Sequence, residues 1–165
     1  MTLSAALSLL LSAVPTVDVL DSRATGIPVQ VSHDVTIWPK GSLARIKLCS
    51  RHLPFAITAR TWTPTWRDVA RIEATLPLAL GEWRRRTRDR YFLTPGQFEQ
   101  TNWESQWSRN YFGVFRKGRR HLYVDFARLP MKNGFSVCDG GSSFFGIEID
   151  SRSGTIVTLD TNGLA

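Results

Sequence analysis

The sequence predicts an α+β domain in which one long helix packs on an antiparallel meander of four to five strands. Two observations predict this fold. Apolar residues recur at helical spacing from Trp66 to Trp83, and from Tyr111 onward they alternate with polar residues, which is strand spacing. A helix followed by a run of short strands is typical of α+β proteins, in which the helix covers one face of the sheet.

The composition is that of a folded protein of about one domain. The chain has 165 residues, of which 42% are hydrophobic and 21% charged, and these values exclude a disordered chain. Lys and Arg number 21 against 14 Asp and Glu, which gives a net charge of +7. Such a chain is attracted to polyanions, acidic protein surfaces and anionic lipid, although the charge alone selects none of them.

Residues 1–25 are predicted to be a signal peptide or N-terminal hydrophobic segment with a linker, and residues 26–165 a single domain. The run 3–14 is apolar and uncharged, about as long as a signal-peptide core and too short for a comfortable membrane span. Small residues before Pro15 provide a cleavage zone, although no Lys or Arg precedes the run. We therefore expect a periplasmic or secreted protein. The alternatives are an uncleaved N-terminal membrane anchor and a buried N-terminal helix.

Extended segments are predicted before the long helix. Residues 29–37 carry regularly spaced Val and Ile, residues 43–49 alternate in polarity, and residues 55–61 are apolar and β-branched. A turn signal at residues 39–42 separates the first two segments. These patterns predict two strands and a third candidate strand.

The helix itself is predicted to begin at Thr65. Thr65 and Asp68 have the spacing of a capping box, in which each side chain bonds the other residue's backbone N–H. Pro77 lies inside the apolar pattern and should kink or split the helix. Arginines from Arg84 onward suit the negative end of the helix dipole.

The meander is predicted from strands and turn residues that follow one another closely. Residues 111–116 and 119–128 read as a hairpin around Lys117-Gly118. A short helix at 98–107 precedes this hairpin, and later strands are predicted at 135–138, 144–149 and 155–159. The nearest architectures, by analogy alone, are the cystatin-like and nuclear-transport-factor-like folds.

Three segments of the C-terminal part carry a resemblance to a known family. They are Arg119-Arg120-His121-Leu122-Tyr123-Val124-Asp125, Val137-Cys138-Asp139-Gly140-Gly141, and Phe144-Phe145-Gly146-Ile147-Glu148-Ile149-Asp150 with Gly154. Residues 61–163 resemble a family of small, uncharacterised bacterial exported proteins, in which a basic hairpin leads to a Cys-Asp-Gly-Gly turn. The resemblance implies no activity and carries over no functional residue.

Two cysteines, Cys49 and Cys138, allow one disulfide in an exported chain. Two separate buried thiols are the alternative. The cysteines lie far apart, and no pair of histidines has ligand spacing, so we expect no metal and no cofactor.

His121, Tyr123 and Asp125 share one face of a predicted strand, opposite the apolar face. If that face lines a pocket, His121 or Asp125 can act as a general acid or base. If it faces water, as alternation in a meander commonly indicates, the three side chains are only solvated.

The turn at Asp139-Gly140-Gly141 is a second candidate site. Its glycines would let backbone amides face an anion, and the preceding cysteine could be a nucleophile. The alternative is a structural turn that requires glycine.

A basic patch is the third candidate. Arg84, Arg85 and Arg86 end the predicted helix, and more cations surround the hairpin turn at Lys117. Such a patch can bind an acidic protein or envelope partner, or nucleic acid, although no nucleic-acid signature is present. Charge complementarity at the helix end is the alternative.

These observations favour a non-enzymatic domain that binds a macromolecule in the bacterial envelope, as an inhibitor or immunity-like protein does. A small pocket enzyme of isomerase or hydrolase type is one alternative, and a nucleic-acid binder is the other. The sequence leaves open whether the protein is an enzyme, although the lack of a catalytic motif favours a binding protein.

Overall fold

The computed structural model describes residues 28–32, 34–45, 53–87, 106–128 and 143–162. Several sequence predictions therefore lie outside the described residues: the targeting segment, the Cys49–Cys138 disulfide, the strand at 135–138 and the Asp139-Gly140-Gly141 turn. The helix predicted at 98–107 lies almost wholly outside them. In the part of the chain that is described, no helix has both the length and the apolarity needed to cross a membrane.

The described elements are one α-helix, one 3-10 helix and seven strands. In chain order they are β1 (Val29–Ser32), β2 (Val35–Ile37), the 3-10 helix (Ser42–Arg45), β3 (Thr61–Trp62), α1 (Trp66–Thr87), β4 (Ser108–Arg116), β5 (Arg119–Ala127), β6 (Phe144–Asp150) and β7 (Ile156–Thr161). The α+β class predicted from the sequence is confirmed.

The strands form one mostly antiparallel sheet. Its order is β1-β2-β4-β5-β6-β7, and β3 pairs with β4 beside β2. Strands β4 to β7 are consecutive antiparallel neighbours, as a meander requires. The described sheet has seven strands and not four to five, because β1, β2 and β3 extend it past β4, with β2 parallel to β4.

Helix α1 begins as the sequence predicts. The Asp68 carboxylate accepts a hydrogen bond from the Thr65 backbone N–H at 2.9 Å, and the Asp68 N–H donates to the Thr65 hydroxyl at 3.3 Å. This reciprocal pair satisfies donors that have no partner within the helix. Pro77 does not split the helix, which continues to Thr87.

One face of α1 packs on the sheet. Its buried residues lie three or four positions apart, and they contact apolar side chains from β4 to β7. The residues are Val69, Ile72, Leu76 and Leu80. The core explains how the helix and the meander hold together, and it leaves the opposite sheet face to other elements.

Two predicted strands before the helix are wrong in part. The segment predicted as a strand at 43–49 begins as the 3-10 helix, and its residues beyond Arg45 are not described. Leu43 is buried there against the sheet, so its apolar character reflects tertiary packing and not strand alternation. Of the candidate strand at 55–61, only Thr61 belongs to β3, and the Arg60 carbonyl adds one hydrogen bond to β4. The residues before Arg60 form a turn closed by the Ala59 N–H and the Ala56 carbonyl at 2.8 Å.

The second face of the sheet is covered. The prediction that His121, Tyr123 and Asp125 are solvated is wrong, since they are only 7%, 1% and 6% exposed. Described residues from the chain between β2 and β3 pack on this face with Tyr123 and form a second, smaller apolar cluster. Its members are Trp38, Leu43, Phe112, Val114 and Tyr123, with Leu53, Phe55 and Ala59 packed against it.

Candidate functional site

Strands β4 and β5 meet in a tight turn at one end of the sheet. Lys117 and Gly118 both have positive φ, at 47° and 77°, which matches the twist of a two-residue hairpin. Arg116 and Arg119 flank the turn as a cross-strand pair. The turn therefore concentrates cations at the end of the hairpin.

Cations from two other segments join this end. The Arg60 carbonyl accepts a hydrogen bond from the Phe115 N–H at 2.8 Å, so Arg60 continues β3 beside the end of β4. The Arg120 carbonyl accepts one from the Ser151 N–H at 3.2 Å, which places the β6–β7 loop at the same end. We call five exposed cations that converge here the basic rim: Arg60, Lys117, Arg119, Arg120 and Arg152. Arg71 of α1 also reaches this end, where it donates a hydrogen bond to the Ser151 carbonyl.

Two rim arginines lie on aromatic rings. The Arg60 guanidinium carbon is 4.0 Å from the centre of the Phe115 ring, and that of Arg120 is 4.9 Å from the Trp62 ring. Phe115 is the cross-strand partner of Arg120. Cations and rings thus alternate across three strands, and each ring attracts the guanidinium above it.

Gly113 makes this arrangement possible. A β carbon at Gly113 would collide with the Trp62 backbone carbonyl and would lie 2.7 Å from the Trp62 indole. Without that carbon the indole lies across the sheet, and its N–H points at the carbonyls of Val114 and His121, at 3.1 and 3.2 Å. The ring is therefore held where Arg120 can stack on it.

The nearest carboxylates are already used within the fold. The Asp150 carboxylate accepts hydrogen bonds from the Arg152 and Ser153 N–H groups, at 2.9 and 3.0 Å. The bond from Ser153 is the main cause that lowers the pKa of Asp150 below its usual value of 3.8. Glu148 is paired with Arg116 inside the sheet. Across the described residues, no ion pair joins a carboxylate to a cation of the basic rim.

Glu148 is at the centre of a buried charge cluster on the second face. Its side chain is 0% exposed, and it forms an ion pair with Arg116. Its other oxygen lies 2.8 Å from Nδ1 of His121. Because Arg116, His121 and Glu148 belong to β4, β5 and β6, the cluster ties three adjacent strands together.

The carboxylate also lies directly beside the imidazole. With Nδ1 facing Glu148, Nε2 is the ring nitrogen that is left for contact with another group. The partner of His121 is therefore Glu148 and not Asp125. Asp125 lies further along β5, where it pairs with Asn110 and Gly146.

Tyr123 is a packing residue on this face. Its ring lies over Gly146, where an added β carbon would be 2.6 Å from the ring carbon that bears the hydroxyl. It also meets Phe55 edge-on, with ring centres 5.4 Å apart. The side chain is buried in this way, and its predicted role in binding a partner stays a prediction.

A second polar cluster lies beneath α1. Glu73 accepts a hydrogen bond from Nε of Arg109 at 2.7 Å and another from the Tyr111 hydroxyl. Burial, followed by the charge of Glu73, raises the pKa of Tyr111 well above its usual value of 10.0. This cluster fastens the helix to β4 and is enclosed by the core.

Arg84, Arg85 and Arg86 at the end of α1 make different contacts from the cations of the basic rim. Arg86 donates to the Ile156 carbonyl at 3.2 Å and its guanidinium carbon lies 5.4 Å from the Trp83 ring. Arg85 donates to the Gly81 carbonyl one turn back, at 3.4 Å. Arg84 is half-buried in the same last turn. Arg85 and Arg86 therefore bond carbonyls of the last helical turns and of β7, and their charges suit the negative end of the helix dipole.

Sequence reasoning missed Arg60, Arg152 and Glu148. The spacing of Glu148 could have indicated its position. It lies two residues from both Gly146 and Asp150 in β6, and side chains two residues apart project from the same face of a strand, here the face of His121. No sequence signal places Arg60 beside the hairpin, since that contact depends on how β3 pairs.

No group of three or more metal-ligating side chains among the described residues is arranged to hold an ion. Comparisons of the chain with protein-family profiles, with curated proteins and with solved structures found no match.

Proposed function

We propose that this protein is a non-enzymatic binding domain that holds an acidic protein surface against its basic rim. One observation carries the proposal: five exposed cations from three chain segments converge on one end of the sheet, and the carboxylates beside them are occupied within the fold. Unpaired like charges repel one another, and an acidic partner relieves that repulsion.

An acidic protein suits the rim better than nucleic acid does. Nucleic-acid surfaces without base readout commonly combine a long basic track with aromatic rings on which bases stack. Here the rings of Trp62 and Phe115 are already covered by Arg120 and Arg60. Of the helix arginines, Arg86 already donates to the Ile156 carbonyl.

A matched pair of variants tests the proposal. The Lys117→Ala/Arg119→Ala variant removes two rim charges, and Arg84→Ala/Arg85→Ala removes two charges from the end of α1. The probes are a fluorescein-labelled oligoglutamate peptide and a single-stranded DNA oligonucleotide of the same length, followed by anisotropy at low and moderate salt. We expect the rim variant to bind oligoglutamate about tenfold more weakly, because each charge contact is worth up to about 1 kcal/mol at an exposed site.

The control variant should bind oligoglutamate like the parent protein. Equal weakening by both variants would mean that only net charge matters, and it would contradict the proposal. Tighter binding to DNA, lost in the helix-end variant, would favour the nucleic-acid alternative instead.

A second candidate function is proton transfer by His121. It is favoured by the buried Glu148 carboxylate, which lies 2.8 Å from Nδ1 of His121, because a carboxylate beside a histidine is a common feature of acid–base sites. His121→Gln should abolish any turnover of chromogenic esters that the parent protein shows, whereas Asp125→Asn should leave it. Equal turnover by parent and His121→Gln would exclude this function.

The proposal places the domain in the bacterial envelope, where an inhibitor or immunity-like role fits a small binding domain. Export, which rests on residues 1–25, stays a prediction. So do membership of the exported family and the likeness to cystatin-like and nuclear-transport-factor-like folds.

A further inference from the structure

The register of three strands aligns two rim arginines with each other. Thr61 pairs with Val114, and Phe115 donates its N–H to the Arg60 carbonyl, so Arg60 lies opposite Phe115. Phe115 in turn lies opposite Arg120. Residues in such a row project from the same face of a sheet. Arg60 and Arg120 therefore flank one aromatic ring on the side of the sheet that carries α1.

Both guanidinium groups are held before any partner arrives. Arg60 lies on Phe115 at 4.0 Å, and Arg120 lies on Trp62 at 4.9 Å. Arginine usually has many rotamers, and ordering it on binding is costly. The rings reduce that cost, because each guanidinium already lies over a ring.

Stacking leaves the edges of a guanidinium free to donate hydrogen bonds. A planar guanidinium presents its N–H groups in a fork that matches the two oxygens of a carboxylate, which the point charge of lysine cannot do. Both side chains are exposed, and in the described part of the chain neither is ion-paired. Two exposed guanidinium groups are therefore already placed over rings at one row of the sheet.

We infer that Arg60 and Arg120 form a carboxylate clamp, which binds two acidic side chains of a partner protein through paired hydrogen bonds. This inference rests on the proposed function and names the chemistry that the partner must supply. The other rim cations, Lys117, Arg119 and Arg152, have no ring beneath them among the described contacts and contribute charge alone.

Lysine substitutions separate the clamp from simple charge. Arg60→Lys/Arg120→Lys keeps both charges and removes both forks, whereas Arg119→Lys/Arg152→Lys makes the same change at the rim cations without rings. Affinity for the oligoglutamate peptide is measured by anisotropy across a salt series, and thermal unfolding confirms that each variant folds. Arg60→Ala/Arg120→Ala is the third variant.

We expect Arg60→Lys/Arg120→Lys to bind about tenfold more weakly than the parent, close to the alanine variant, because fork geometry is lost in both. Its salt dependence should stay parental, since its charge is unchanged. Arg119→Lys/Arg152→Lys should bind within about twofold of the parent.

Parental affinity of Arg60→Lys/Arg120→Lys, with weak binding by the alanine variant, would overturn the clamp and leave the acidic-partner proposal standing. Parental affinity of the alanine variant, together with no effect of removing Lys117 and Arg119, would overturn both. Preference for the DNA oligonucleotide over oligoglutamate, lost with the lysine pair, would assign the forks to phosphate and contradict the clamp as stated.

Discussion

The indole of Trp62 occupies the space that a side chain at Gly113 would need. A β carbon there would meet the Trp62 backbone carbonyl as well as the ring, at 2.7 and 2.8 Å from two ring carbons. The backbone of β3 cannot give way without losing its pairing with β4. Glycine at this position is therefore a condition for the stack that positions Arg120.

Replacing this glycine should be costly. We expect Gly113→Ala to lower the free energy of unfolding by about 1–3 kcal/mol, as overpacking does when backbone must move. Gly81 in α1 is the matched control, since an added β carbon there meets nothing within 4 Å. Gly81→Ala should raise stability by up to about 1 kcal/mol through helix propensity. Urea unfolding followed by circular dichroism measures both, and a stability loss at Gly81 equal to that at Gly113 would count against this account.

The buried cluster of Glu148 should depend on its partners. Arg116→Met leaves a fully buried carboxylate beside His121 alone, and breaking a buried pair in this way costs about 3–5 kcal/mol. We expect the lower part of that range, because the Arg116 side chain is 34% exposed and keeps some hydration.

Removing both charges should cost less than removing one. In Arg116→Met/Glu148→Met no charge is left unpaired, so the double variant should be more stable than Arg116→Met. The unfolding free energies of the parent protein, Arg116→Met, Glu148→Met and the double variant form a double-mutant cycle. A double variant whose loss equals the sum of the two single losses would show that the pair has no coupling.

Asp150 should make stability fall in acid. Hydrogen bonding lowers the pKa of Asp150 in the folded protein, so the stability contributed by its charge is fully present above the usual pKa of 3.8. That contribution disappears as pH falls through the lower, folded pKa. Asp150→Asn should therefore be less stable than the parent at neutral pH, by about 1 kcal/mol or less, since the site is near the surface. The difference should close at low pH, and a difference that is constant with pH would contradict the assignment.

Tyr111 should resist ionisation. Its pKa is raised well above 10.0 by burial and by Glu73, so the folded protein keeps it protonated where a free tyrosine ionises. The raised pKa adds stability that is fully present below the unfolded pKa and is lost as pH rises toward the folded one. Absorbance titration at alkaline pH should show one fewer late-titrating tyrosine in Tyr111→Phe than in the parent. Tyr111→Phe should also cost about 1–2 kcal/mol, because Glu73 loses a buried donor.

The sequence by itself determined the local elements whose signals lie within a few residues. The capping pair at Thr65, the apolar face of α1 and the turn at Lys117-Gly118 are all set by short-range geometry, and each was predicted. Alternation in β5 also separated the two sheet faces correctly. It did not reveal what covers the second face. Alternation shows that a face carries polar residues, but it does not show whether another segment packs on that face.

Only the tertiary structure decided which distant residues meet. Trp62 crosses Gly113, Arg60 aligns with Arg120, and Glu148 lies against His121 because the strands pair in one particular register. A register is chosen by the whole buried face, and a shift of one residue would turn every side chain to the other side. The local sequence supplied the cations and the rings, and the pairing of β3 with β4 brought Arg60, Phe115 and Arg120 into one row beside Trp62.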